Sequence, residues 1–86
     1  MLKDVTAVEA LGERRLLLTF EGGERREIDL AKVLSFEGVF EPLQDPAYFR
    51  SVRVEREVGT IVWPNGADLC PDVLYEKSTP LAGVGS

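Results

Sequence analysis

The stretch over residues 15–30 restricts the fold more than any other part of this 86-residue chain. Leu16, Leu18 and Phe20 recur at every second position, the period of a strand with one buried face. Glu21-Gly22-Gly23-Glu24 then breaks the alternation, and two successive glycines supply the positive φ angles of a tight hairpin turn. On the return, Ile28 and Leu30 share one face while Arg25, Glu27 and Asp29 take the other. A short, half-apolar strand is predicted before this hairpin, over residues 5–10, with a turn at Gly12-Glu13. The result is a three-stranded meander.

Downstream, Asp29 is placed to accept a hydrogen bond from the first turn of a short helix over residues 30–35. Val33 and Leu34 would face inward, and Gly38 would stop anything longer. Residues 40–43 read as a single turn, with Phe40 and Leu43 pointing into the core. Asp45-Pro46 is a sharper start signal: an acid at the cap, then a proline where its missing N–H costs nothing. One or two turns carrying Tyr48 and Phe49 follow. Val52, Val54 and Val58 alternate with Arg53, Glu55 and Glu57. With a break at Gly59 and a β-branched run over residues 60–63, they predict a second antiparallel hairpin. Pro64-Asn65-Gly66 carries turn chemistry at each position. Asp68 reads as the cap of a last helix over residues 69–76, accepting from the Cys70 N–H because Pro71 offers none. Residues 78–86 show no period and read as a loose tail, leaving one domain over residues 1–77. The expected class is α+β: a small antiparallel sheet, the meander plus the second hairpin, with short helices.

Composition narrows the function. A chain of this length buries a single core, and 44% hydrophobic with 29% charged residues is a globular balance. Fifteen acidic residues against ten basic ones give a net charge of −5, which opposes generic binding to a phosphate backbone. One cysteine forms no internal disulfide and fits a reducing compartment. The opening residues lack the apolar run of a signal peptide, and no apolar stretch reaches a membrane-spanning length. A soluble cytoplasmic protein is expected.

Chemistry-bearing residues are few. There is no histidine, so the commonest general base and the commonest zinc ligand are both missing. Cys70 has no imidazole to activate it and reads as a small packed side chain. Asp68 and Asp72 have the four-residue spacing of a carboxylate pair on one helix face, but a cap and a first-turn acid explain them as well. Gly22-Gly23 has no following Lys-Ser or Lys-Thr, so no phosphate loop is present. No catalytic residue, metal or cofactor is expected. Arg14-Arg15 and Arg25-Arg26 are interleaved with Glu13, Glu24 and Glu27, a pattern that a solvated mixed-charge face explains. No helix-turn-helix fits in the remaining length, so nucleic acid is not an expected partner.

Trp63, the only tryptophan, is the residue most open to a functional reading. Its indole either covers the small core while Pro64 ends the strand, or anchors an interface. Both hold if one ring face is buried and its edge meets a groove that Tyr75 also lines.

The run Trp63-Pro64-Asn65-Gly66-Ala67-Asp68-Leu69-Cys70-Pro71-Asp72-Val73-Leu74-Tyr75 resembles the closing signature of the bacterial family known as domain of unknown function 2442. The upstream Gly-containing turn at residues 20–23, Ile28-Asp29-Leu30 and residues 40–49 are similar to that family too. The resemblance implies an α+β fold, with no established activity. It further implies a small protein of domain of unknown function 4160 encoded nearby, a pair proposed as toxin and antitoxin with this family as the antitoxin. Some relatives carry a fused helix-turn-helix after the Leu-Tyr ending; this chain departs there, stopping eleven residues after Tyr75, so DNA binding and autoregulation are not expected of it.

The leading expectation is a non-catalytic protein-binding module, an antitoxin-like partner of a small toxin-like protein, with Trp63, Asn65, Asp68 and Tyr75 as its binding residues. One rival is a small-ligand or enzymatic domain using Asp68 and Asn65 beside Trp63. Another is a homodimer assembled through an unpaired sheet edge.

Overall fold

The computed structural model describes residues 3–81. The meander forms as the alternation predicts. Strand β1 (Val5–Ala10) pairs antiparallel with β2 (Arg15–Phe20), and β2 with β3 (Arg25–Asp29). Leu16, Leu18, Phe20, Ile28 and Leu30 are all sealed from solvent. Gly22 and Gly23 hold φ of 87° and 91° in the connecting turn, a region that only glycine occupies without cost. The first hairpin turn is less expected. Its positive φ angles fall on Glu13 (60°) and Arg14 (67°), one residue past Gly12.

The second hairpin joins β4 (Arg53–Glu55) to β5 (Thr60–Val62). Val58, expected on its buried face, instead sits in the turn between them and is 62% exposed. Gly59 adopts φ of 78°, and a Cβ there would lie 2.3 Å from the Asp4 carboxylate. The Val5 N–H donates to the Gly59 carbonyl at 2.9 Å, so the second hairpin is tied to the start of β1.

Two strands of two residues each complete the sheets. β6 (Asp68–Leu69) pairs with β5, and β7 (Thr79–Pro80) pairs with β3. The orders are β1-β2-β3-β7 and β4-β5-β6. Both correct the sequence reading. Thr79 and Pro80 belong to the sheet rather than to a tail, and Ser78 is buried; residues 82–86 lie outside the described part. Asp68 is a strand residue, not a helix cap. Helix α2 (Pro71–Lys77) starts at the proline, which puts Cys70 at the cap position without a side-chain hydrogen bond. Cys70 is exposed there rather than packed.

The connecting segments follow their caps. Asp29 Oδ1 accepts from the Ala31 N–H at 3.0 Å and starts one 3-10 turn over Leu30–Lys32. Asp45 Oδ1 does the same for Ala47 at the head of α1 (Pro46–Phe49). Gly38, φ 60°, opens a second 3-10 stretch (Gly38–Gln44) instead of ending a helix. That strap drives Leu43 into the core and leaves Phe40 half-buried. One hydrophobic core results, in which the meander's apolar face meets Leu43, Phe49, Ile61, Trp63, Leu69 and Leu74.

Candidate functional site

Trp63 opens the turn over residues 63–67. Its side chain is 1% exposed, and the indole N–H donates to the Phe49 carbonyl at 3.0 Å. The Phe49 ring packs against it at 6.2 Å. Burying so large a ring is the main apolar gain available at this position, and the hydrogen bond removes the cost of its one polar atom. The indole has no edge left for a groove. Of the two sequence readings, the core role holds.

The turn closes on itself. Gly66, φ 90°, donates to the Trp63 carbonyl at 2.9 Å, and the Trp63 N–H donates to the Ala67 carbonyl at 2.8 Å. Asn65 then joins the turn to the strap. Its Oδ1 accepts from the Ala67 N–H at 3.1 Å, while its Nδ2 donates to the Val39 carbonyl at 2.9 Å. Asn65 is exposed but occupied at both ends of its amide. The side chain of Val39, held there by its own backbone, is 49% exposed. Asp68 is exposed on β6.

Tyr75 belongs to a different cluster. Its ring meets Phe20 edge-on at 5.1 Å, and the Arg26 guanidinium lies 4.0 Å from its centroid. Its hydroxyl donates to Glu24 Oε1 at 2.8 Å. Arg26 is the hub: Nη1 donates to Glu24 Oε2 at 2.8 Å, Nε to Ser78 Oγ at 2.8 Å, and Nη2 to the carbonyls of Tyr75 and Ser78 at 3.0 and 2.8 Å. A planar fork of donors suits such a set of acceptors better than a lysine does. The Tyr75 hydroxyl, Arg26 and Lys3 together lower the Glu24 carboxyl from its ordinary 4.5 to about 2. These contacts fasten the end of α2 to β3.

The four residues singled out in the sequence therefore divide. Asn65 and Asp68 present polar groups at the turn, Trp63 supports that turn from inside, and Tyr75 is committed to Glu24 and Arg26. The sequence alone gives no sign of the roles of Arg26 and Glu24. Both stand in a charged run that reads as solvated surface, and their partners lie 49 to 52 residues away in sequence.

An open groove of about 380 Å³ runs beside β3 and the end of α2, lined by Glu27, Asp29, Lys32, Val33, Lys77 and Thr79. Arg15 pairs with Glu27 at 2.6 Å on its margin. Among the described residues, no group of three His, Cys, Asp or Glu is placed to hold a metal ion. No helix among them is long and apolar enough to cross a membrane.

Residues 5–80 match the family described as "Protein of unknown function (DUF2442)". The chain belongs to that family. No curated protein and no solved structure matches it. In this DUF2442 chain the matched region includes β7, so it takes in the strand that follows the Leu-Tyr ending.

Proposed function

We propose that this DUF2442 protein is a non-catalytic protein-binding module whose partner is a small basic protein, in the manner of an antitoxin. The observation that carries the reading is the use made of the charges. Among the described residues, Lys3, Arg15, Arg26 and Arg53 are held in ion pairs with only three carboxylates, those of Glu24, Glu27 and Glu55. Arg14 is also engaged, donating to the Gln44 carbonyl with its guanidinium over the Phe36 and Phe49 rings at 6.0 and 5.8 Å. Outside the ion pairs, carboxylates outnumber cations two to one among the described residues. A surface of that kind steers a cationic partner and masks its charge.

Contact falls to exposed groups. Asn65 and Asp68, with the half-exposed Val39 held by Asn65, offer polar and apolar surface at the turn; Trp63 supports that turn from inside, while Tyr75 fastens α2 to β3. The ligand-binding alternative has less support, because the Asn65 amide is engaged at both ends and the Trp63 ring is sealed. The partner is sought in the product of the neighbouring small gene, as the family resemblance suggests.

Co-expression of the two chains followed by pull-down and a growth assay tests the reading. The expected result is a complex that weakens as salt rises, together with rescue of a neighbour that is toxic alone. A harmless neighbour, or no complex, would overturn it. A ligand that raised the melting temperature with concentration would favour the alternative instead.

A further inference from the structure

Asn65 is followed by Gly66, and a glycine after asparagine leaves its backbone nitrogen unobstructed by any Cβ. That nitrogen can attack the asparagine side chain in a reaction needing only water. The Gly66 N–Asn65 Cγ bond forms, the Cγ–Nδ2 bond breaks, and ammonia leaves with the proton given up by the amide nitrogen. Water then opens the five-membered imide at either carbonyl, leaving aspartate or isoaspartate at position 65. No electrons change hands.

Here both reacting groups are occupied. The Gly66 N–H donates to the Trp63 carbonyl at 2.9 Å. The Asn65 amide is held at Nδ2 by the Val39 carbonyl and at Oδ1 by the Ala67 N–H, at 2.9 and 3.1 Å. While these bonds last, the backbone nitrogen keeps its proton and the side chain cannot swing onto it. Asn65 is nonetheless exposed, so water and base reach it whenever the turn opens.

We propose that Asn65-Gly66 is a site of spontaneous deamidation gated by the fold: its bonds to Trp63, Val39 and Ala67 keep it unreacted, and opening of the turn commits it. The product cannot restore what held it. A carboxylate at position 65 offers no donor to the Val39 carbonyl and sets acceptor against acceptor. Isoaspartate also lengthens the backbone inside a turn closed by the bond from the Trp63 N–H to the Ala67 carbonyl. Either product adds a negative charge to a chain already at −5. Reaction thus frees the strap over residues 38–44 from the turn, in one direction only and without regard to any partner.

Peptide mass spectrometry of the full chain, aged at mildly alkaline pH in buffer and in concentrated urea, tests the proposal. Product at position 65 is expected to accumulate about tenfold or more slowly in buffer, since only the opened turn reacts. Gly38→Ala strains the start of the strap, where φ is 60°, without touching the reacting pair. It is expected to raise the rate in buffer severalfold while the circular dichroism stays unchanged. Asn65→Asp, one of the products, is expected to melt below the parent. Equal rates in buffer and urea would overturn the gating, and no product in urea would overturn the site. An Asn65→Asp chain that melts like the parent would overturn the consequence.

Discussion

At residues 63–67 the chain is held by a sealed indole and by hydrogen bonds between neutral groups. From Tyr75 to Ser78 it is held by an arginine, a carboxylate and a tyrosine hydroxyl. The first attachment depends on packing and is indifferent to acid. The second depends on charge-assisted bonds, stronger singly, of which those to Glu24 weaken once its carboxylate is protonated. One short run of sequence thus fastens two parts of the molecule by means that fail under different conditions, and each can be removed without the other.

The largest effect is expected from Trp63→Ala, which leaves a cavity beside Phe49 and removes the indole donor to its carbonyl. A loss of about 3–5 kcal/mol is expected from urea unfolding, enough to unfold much of so small a domain. Trp63→Phe should retain most of the packing and lose the bond to Phe49. Arg26→Ala comes next, at about 1–3 kcal/mol, because it takes the donor from the buried Ser78 carbonyl and removes one of the three donors to Glu24. Lysine at this position should recover less than half of that loss, having no fork to replace.

Acid separates the two attachments most directly. The folded Glu24 value, about 2, lies below its ordinary 4.5. Its contribution is therefore complete above 4.5 and is lost as pH falls toward 2. The melting temperature should fall across that window, and Glu24→Gln should make the fall shallower. Trp63→Phe should leave its shape unchanged. The smaller effects lie at the turn. Asn65→Ala should cost about 1 kcal/mol, with no change in the acid profile. Asp68→Ala should stay within about 0.5 kcal/mol, so any loss of partner binding in that variant reports contact rather than folding.

Where the sequence was readable, a local rule sufficed. The period-two leucines and paired glycines produced β2 and β3, and Asp45-Pro46 produced the head of α1. Two-residue strands have no period to detect, so β6 and β7 were invisible until their partners were placed. For Asp68 the signal is present in the sequence: a proline at the first helical position assigns the cap to the residue just before it, which is Cys70. Val58 continued an alternation that the backbone had already left. Arg26 illustrates the harder limit, because only the folded chain brings Tyr75 and Ser78 to it.

The turn between β1 and β2 carries a lesson for anyone redesigning this protein. Judged by backbone angles alone, positions 13 and 14 ask for asparagine and glycine, and a consensus-minded designer would supply them. The present chain keeps Glu13 and Arg14 there at φ of 60° and 67°. From that strained perch the Arg14 carbonyl receives the Leu30 N–H at 2.9 Å and its guanidinium reaches the Gln44 carbonyl. Relaxing the turn with glycine at 14 would preserve the first bond and delete the second. The easier loop would then close a hairpin no longer bolted to the strap.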